Sequence, residues 1–127
     1  MSTKGAKVAE LFTKAMATTK CFDQNLRQVK VVCCAQGRMV TEFKVGPEHL
    51  NQRGSLHGGF IALLVDAIST YALTANDKVE TRGLSIDLSV TQRSLPSTCY
   101  NPDTHLRLIE THQCFHTSSA RVPFSNS

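Results

Sequence analysis

The feature that most constrains this chain is an apolar run that contains a single acid. From Phe60 to Leu73, apolar side chains fill almost every face of a helix. Such a pattern predicts a helix buried on all sides rather than one lying on a surface. Asp66 interrupts the run. Because an unpartnered carboxylate is costly in an apolar environment, this acid must have bonding partners or a chemical task.

The chain before this helix predicts one covering helix and one β-hairpin. Residues 28–35 and 39–45 are rich in Val, Phe and Thr and are separated by Gln36-Gly37, which is typical of a hairpin. Apolar residues at helical spacing, with lysines between them, indicate an amphipathic first helix; they are Val8, Leu11, Phe12, Ala15 and Met16. Alternation along the second strand predicts that one face packs on the core and the other faces solvent. The residues on the core face are Met39, Thr41, Phe43 and Val45.

After the central helix, the sequence predicts one more strand and then little regular structure. Residues 83–90 alternate apolar and polar side chains, with Ser85 in the polar set. From about Thr91 no further strand pair is evident, so we expect a domain over residues 1–92 and a divergent, partly disordered tail over residues 93–127. A helix, a hairpin and one strand are too few to enclose a buried helix. The core is therefore predicted to be incomplete toward the C-terminus unless a partner completes it.

Charge and cysteine content narrow the class of protein. The 127 residues suit one domain. All of the net charge of +4 lies in residues 1–30, whereas a nucleic-acid-binding surface needs a basic stripe on the folded domain. We interpret this segment as a solvated basic N-terminus; a mitochondrial transit peptide is the alternative, for which Glu10 is unusual. Five cysteines without a C-x-x-C pair or a secretory signal indicate a reducing compartment, either the cytoplasm or the mitochondrion.

Neither a membrane span nor a metal site is expected. The apolar run covers fourteen residues, fewer than the roughly twenty that a spanning helix needs. The Cys and His residues near the C-terminus follow no familiar zinc spacing; they are Cys99, His105, His112, Cys114 and His116. We also expect Cys33 and Cys34 to lie on opposite faces of a strand as small core residues rather than as a redox couple. No cofactor is predicted.

The His-Gly-Gly sequence at the start of the central helix is the first candidate for chemistry. Backbone N–H groups at a helix N-terminus lack intrahelical acceptors, and the helix dipole adds partial positive charge there. Gly58 and Gly59 leave such groups accessible to an anion or a developing oxyanion, and His57 could orient a carbonyl beside them. The equally simple alternative is a tight turn that merely enters a helix.

The spacing between this turn and the acid suggests a site shared by two chains. Asp66 lies eight residues after Gly58, which is about 12 Å along one helix. That separation is too large for both groups to act on one atom. If two copies of the helix packed antiparallel about a two-fold axis, Asp66 of one chain would lie near Gly58 of the other. The alternative is a buried acid that bonds to a neighbouring hydroxyl, such as that of Ser69 or Thr70.

Three motifs carry a resemblance to a known family. The sequences HLNQRGSLHGG, LVDAIST and GLSID occur in this order between residues 49 and 87. In type and order they resemble the hotdog-fold acyl-coenzyme A thioesterases, and the resemblance ends near Thr91. It implies an α+β hotdog fold in which an antiparallel sheet wraps round a central helix, with dimers or dimers of dimers as the assembly. It also implies hydrolysis of fatty acyl-coenzyme A to the free acid and coenzyme A.

The resemblance implies roles for five residues. Gly58 offers its N–H to the thioester carbonyl, and His57 and Asn51 help to position that group. Asp66 comes from the opposite subunit as general base or nucleophile, and Ser85 helps to hold the water. Because the tail departs from the family, a catalytically impaired variant acting as a binding or regulatory subunit is the alternative function. A hotdog-type dehydratase acting on hydroxyacyl thioesters is a third hypothesis, disfavoured because such sites space the His and the acid differently.

Overall fold

The computed structural model describes residues 3–77, 105–113 and 117–121, and for the last two ranges it describes the backbone. Two short 3-10 helices occupy Phe22–Leu26 and Pro47–His49. The remaining elements are two helices and four strands: α1 (Thr3–Thr18), β1 (Lys30–Ala35), β2 (Arg38–Lys44), α2 (Gly58–Thr74), β3 (His105–Gln113) and β4 (Thr117–Arg121).

The four strands form one antiparallel sheet in the order β1-β2-β3-β4. In its centre, Val40 of β2 pairs with Ile109 of β3. The prediction that no strand pair follows residue 91 is therefore wrong. β3 pairs with the distant strand β2, and β4 then pairs with β3; such tertiary context outweighs local β-propensity. The predicted domain boundary at residues 92 and 93 lies outside the described residues and stays a prediction.

The hairpin forms as its sequence predicts. Gln36 and Gly37 both have positive φ, 49° and 78°, as in the turns that match the twist of two antiparallel strands. The four residues predicted on the core face of the second strand are all buried, and Val45 lies one residue beyond the end of β2. In β1, Cys34 is buried and Cys33 is exposed, which confirms that the two thiols lie on opposite faces and shows that only Cys34 fills the core.

The first helix covers one edge of the core. α1 packs against β1 and α2 and buries Val8, Phe12 and Met16. Leu11, predicted on the same face, is 51% exposed. The buried face is centred on Phe12, and successive residues of an α-helix are rotated by about 100°, so Leu11 points away from it. The ring of Phe12 meets Tyr71 of α2 edge-on, with centroids 5.1 Å apart.

The second helix lies at the centre of the core, as predicted. α2 packs against β2 and β3, and none of its residues from Phe60 to Thr74 is exposed. Asp66 is half-buried on this helix. The described residues thus have the α+β arrangement expected from the sequence. Within the described ranges, no helix is both long enough and apolar enough to cross a membrane.

Candidate functional site

The nine residues before α2 form a closed loop. The N–H of His57 donates to the carbonyl of His49 at 2.8 Å, and the N–H of Asn51 donates to the carbonyl of Ser55 at 2.8 Å. Between these bonds, residues 50 and 56 form an antiparallel bridge. We call residues 49–57 the site loop. Its two ends are held together by backbone bonds, so the position of His57 depends directly on that of His49.

Asn51 organises the tip of the site loop. Its Oδ1 accepts from the N–H groups of Arg53 at 2.9 Å and Ser55 at 3.2 Å, while its Nδ2 donates to Ser55 Oγ at 2.8 Å. The N–H of Gly54 donates to the Asn51 carbonyl, and Gly54 has a φ of 77°. An Asn side chain that bonds to the backbone two residues ahead stabilises a turn in this way. The predicted role of Asn51 toward a thioester carbonyl stays a prediction.

His57 caps the N-terminus of α2. Its Nδ1 accepts from the N–H of Gly59 at 2.9 Å, and its carbonyl accepts from the N–H groups of Phe60 and Ile61. A neutral imidazole that accepts at Nδ1 carries its proton on Nε2, which is then a donor. Because the side chain is exposed, this donor lies at the surface beside the helix end.

Gly58 is the first residue of α2. The N–H of a first helical residue points out of the N-terminal end, where the helix dipole is positive. His57 and Gly58 therefore bring a ring donor and a backbone donor to one end of the same helix. Such a pair can bind an anion or a carbonyl oxygen that gains negative charge.

Asp66 lies on the same helix, well away from this end. α2 continues as one α-helix through Gly58 and Asp66, so eight residues separate them by about 12 Å. The hydroxyls of Ser69 and Thr70 donate to the backbone carbonyl of Asp66, at 3.0 and 2.9 Å. The alternative interpretation of Asp66 requires a hydroxyl that donates to its side-chain carboxylate. Each hydroxyl has only one proton to donate, and Ser69 and Thr70 donate theirs to the backbone carbonyl instead.

His49 is the residue that sequence reasoning missed at this site. No role is assigned to it from the sequence, but its side chain is 1% exposed and lies between Phe43 and Phe60. A signal was present in the sequence: His49 stands three residues after Gly46, where a side chain can bond back to the backbone at the start of a helical turn. Ser85, the fifth predicted site residue, lies outside the described residues. Within the described ranges, no three His, Cys, Asp or Glu side chains cluster as metal ligands would.

Comparison with known proteins places this arrangement in a family. No family model matches the chain. Human acyl-coenzyme A thioesterase 13 is 41% identical over 81 residues, which are 64% of this chain and 57% of that protein. The chain thus spans little more than half the length of this curated relative. Solved structures of thioesterase superfamily member 2 from mouse and zebrafish match with a TM-score of 0.79 each. The mouse protein is 27% identical, with 99% of this chain and 89% of that chain covered; for the zebrafish protein the values are 30%, 95% and 86%.

The chain belongs to the hotdog-fold acyl-coenzyme A thioesterase family. The resemblance predicted from the three sequence motifs is thereby confirmed, and so is the α+β hotdog fold. In hotdog-fold terms, α2 is the central helix, and the described strands β1 to β4 are part of the sheet around it. The site loop and the His57–Gly58 turn lie at the N-terminal end of this central helix.

Proposed function

We propose that this chain hydrolyses fatty acyl-coenzyme A thioesters to the free acid and coenzyme A, at sites that two copies of the chain form together. Support for the reaction comes from the relative named acyl-coenzyme A thioesterase 13 and from the donors at the start of α2. The single observation that carries the shared site is the uninterrupted helix between Gly58 and Asp66, because it keeps the two groups about 12 Å apart in one chain.

The donors at the end of α2 suit the carbonyl oxygen of the thioester. When a nucleophile adds to the carbonyl carbon, this oxygen becomes negatively charged. The N–H of Gly58, the Nε2–H of His57 and the positive end of the helix dipole can each stabilise that charge. Removal of one such donor typically costs about 10²- to 10³-fold in kcat.

The carboxylate of Asp66 from the second copy is the proposed catalytic acid-base group. As a general base, it takes a proton from water while the water oxygen bonds to the carbonyl carbon. The carbon–sulfur bond then breaks, and the proton passes to the departing thiolate. As a nucleophile, the same carboxylate would attack the carbonyl carbon and expel the coenzyme A thiolate, and water would then hydrolyse the resulting anhydride to the free acid and Asp66. Both routes need Asp66 ionised and within a few ångströms of the thioester, which the partner helix can provide when it runs antiparallel.

The test measures the release of free thiol from a long-chain acyl-coenzyme A by the purified chain. Asp66→Asn removes the base. Gly58→Pro removes the N–H, and proline is well tolerated at the first position of a helix. His57 has a ψ of 127°, a conformation that residues before proline prefer. Each variant is expected to lose at least about a hundredfold in kcat. Gly58→Ala keeps the N–H, so the difference between the two Gly58 variants isolates this donor.

Mixing the two inactive variants tests the shared site. Random pairing of Asp66→Asn with Gly58→Pro makes half of the dimers mixed, and each mixed dimer contains one intact site. About a quarter of the wild-type activity should therefore return. A site contained in one chain would give no recovery. If the wild-type chain is inactive alone but changes the activity of a complete homologue, the alternative function as a regulatory subunit is supported.

A further inference from the structure

A second histidine lies behind the turn that carries His57. The ring of His49 stacks on Phe60, the third residue of α2, with centroids 4.5 Å apart and 26° between the planes. It also meets Phe43 of β2 edge-on at 5.3 Å. The Phe43 and Phe60 rings are themselves 5.4 Å apart. This aromatic cluster fixes the first turn of α2 against the end of β2.

Hydrogen bonds of His49 also link the chain after β2 to the start of α2. Its Nδ1 accepts from the N–H of Gly46 at 2.9 Å, and its carbonyl accepts from the N–H of His57 at 2.8 Å. A side chain that returns to the N–H of a cap residue three positions earlier is the arrangement that Glu or Gln usually makes. The ring thus fixes the backbone between Gly46 and His49, and the carbonyl at the end of that stretch holds His57.

We infer that His49 is a positioning residue, which fixes the direction of the His57 ring and of the Gly58 N–H without touching the substrate. This inference rests on the proposed function, in which these two groups bind the thioester carbonyl. A shift of about 1 Å in such donors can cost a hundredfold in rate. The ring of His49 is in the right state for this task, because burial lowers its pKa and so favours the neutral form with an accepting Nδ1.

Two variants of His49 separate its hydrogen bond from its packing. His49→Phe keeps an aromatic ring between Phe43 and Phe60 but leaves the N–H of Gly46 without its acceptor. His49→Gln loses the ring but supplies an amide oxygen, and Gln is a preferred residue for bonding to a cap N–H from this position. The control is Phe12→Leu, which weakens the contact with Tyr71 near the other end of α2.

The first readout is the steady-state hydrolysis of a long-chain acyl-coenzyme A, corrected for the folded fraction of each variant. His49→Phe is expected to lower kcat about 10- to 100-fold. Its KM should change by less than about threefold, because remote contacts with the substrate are kept. His49→Gln should stay within about fivefold of wild type in kcat, since a lost hydrogen bond is replaced. Phe12→Leu should lose stability while keeping both kinetic constants.

The second readout is amide hydrogen exchange by nuclear magnetic resonance, which needs no substrate. In His49→Phe, exchange should accelerate at Gly46 and His57, whose N–H groups bond to His49 in the wild type. In His49→Gln the Gly46 amide should stay protected. In Phe12→Leu, exchange at Gly46 and His57 should change no more than exchange in the rest of the chain.

Two results would overturn the inference. One is a kcat for His49→Phe no lower than that of Phe12→Leu at the same folded fraction. The other is unchanged exchange at His57 in His49→Phe. If the wild-type chain hydrolyses no acyl-coenzyme A, the proposed function fails, and the exchange measurement alone decides whether His49 holds the His57 turn.

Discussion

The ammonium nitrogen of Lys4 lies 2.6 Å from the backbone carbonyl oxygen of Asn76. This bond joins the first turn of α1 to the chain just after the end of α2. A cation at this position also opposes the negative end of the helix dipole. The expectation of a solvated basic N-terminus therefore does not hold for Lys4, which has a structural contact.

Lys4→Met should lower the free energy of unfolding by about 1 kcal/mol, because it removes a charged donor while keeping the apolar stem. Urea denaturation followed by circular dichroism measures this loss. Lys7→Met is the matched control, since Lys7 is exposed on the same helix and should change stability by less than about 0.5 kcal/mol. Equal effects of the two substitutions would contradict a specific role for the Lys4 bond.

Thr41→Val should stabilise the fold. Thr41 is fully buried on the core face of β2, and its hydroxyl has no hydrogen-bond partner in the part of the chain that the structure describes. Valine has nearly the same shape without the polar atom, so about 1 kcal/mol of stability should be gained. The control is Thr74→Val, which removes a hydroxyl that donates to the Thr70 carbonyl and should bring no such gain. A loss of stability in Thr41→Val would mean that this hydroxyl is bonded in the folded protein.

Gly54→Ala should destabilise the site loop through backbone strain alone. Gly54 has a φ of 77°, and a Cβ built there meets no atom within 4 Å. An L-residue in this region costs about 1 kcal/mol or more. Gly54→Asn should cost less, because asparagine adopts positive φ more readily. Thermal unfolding of both variants checks the order; a larger loss for asparagine would point to steric exclusion instead.

The two neighbouring cysteines should differ sharply in reactivity. Burial, with a smaller contribution from Cys33, raises the pKa of the Cys34 thiol to about 11. At pH 8 only about a thousandth of it would be thiolate, and the thiolate is the reactive form. Alkylation with iodoacetamide followed by peptide mass mapping should therefore modify exposed Cys33 and spare Cys34 until denaturant is added. Equal labelling in the folded protein would show that β1 opens readily.

The stability of the fold should fall on the acid side of neutrality. Burial lowers the pKa of His49, although Glu48, whose Oε1 lies 3.9 Å from Nε2, opposes this. The unfolded chain therefore binds a proton near its ordinary pKa of about 6.5, before the folded chain does. The contribution of neutral His49 is complete above that pH and decreases as the pH falls toward the folded pKa.

Urea denaturation at pH 8 and at pH 5 measures this contribution. His49→Gln should show a smaller loss between the two pH values than wild type, because its amide does not titrate. Phe43 and Phe60, the other side chains packed on His49, carry no charge. Identical pH profiles for the two proteins would contradict the assignment to His49.

The elements that the sequence predicts correctly are those decided by neighbouring residues. Helical spacing identifies α1 and α2, and Gln36-Gly37 identifies the hairpin turn. β3 was missed because its pairing with β2 joins residues almost seventy positions apart, such as Val40 and Ile109, and no local pattern encodes such a contact. Tertiary context decides strands of this kind.

At the candidate site, the motif predicts the turn that begins α2 but not the side chains that support it. His57 and Gly58 lie together as the His-Gly-Gly sequence suggests. The side chain of Asn51 is bonded within its own loop, and the burial of His49 follows from its two phenylalanine neighbours. These features depend on three-dimensional packing, which residue types and spacing alone do not reveal.

The closure of the site loop has a consequence for the order of folding. Its bonds join residues no more than eight positions apart, so little chain entropy is lost in forming them. Pairing of β3 with β2 must close a far longer loop and is expected to be slower. The turn that carries His57 can therefore take shape while the sheet is still incomplete.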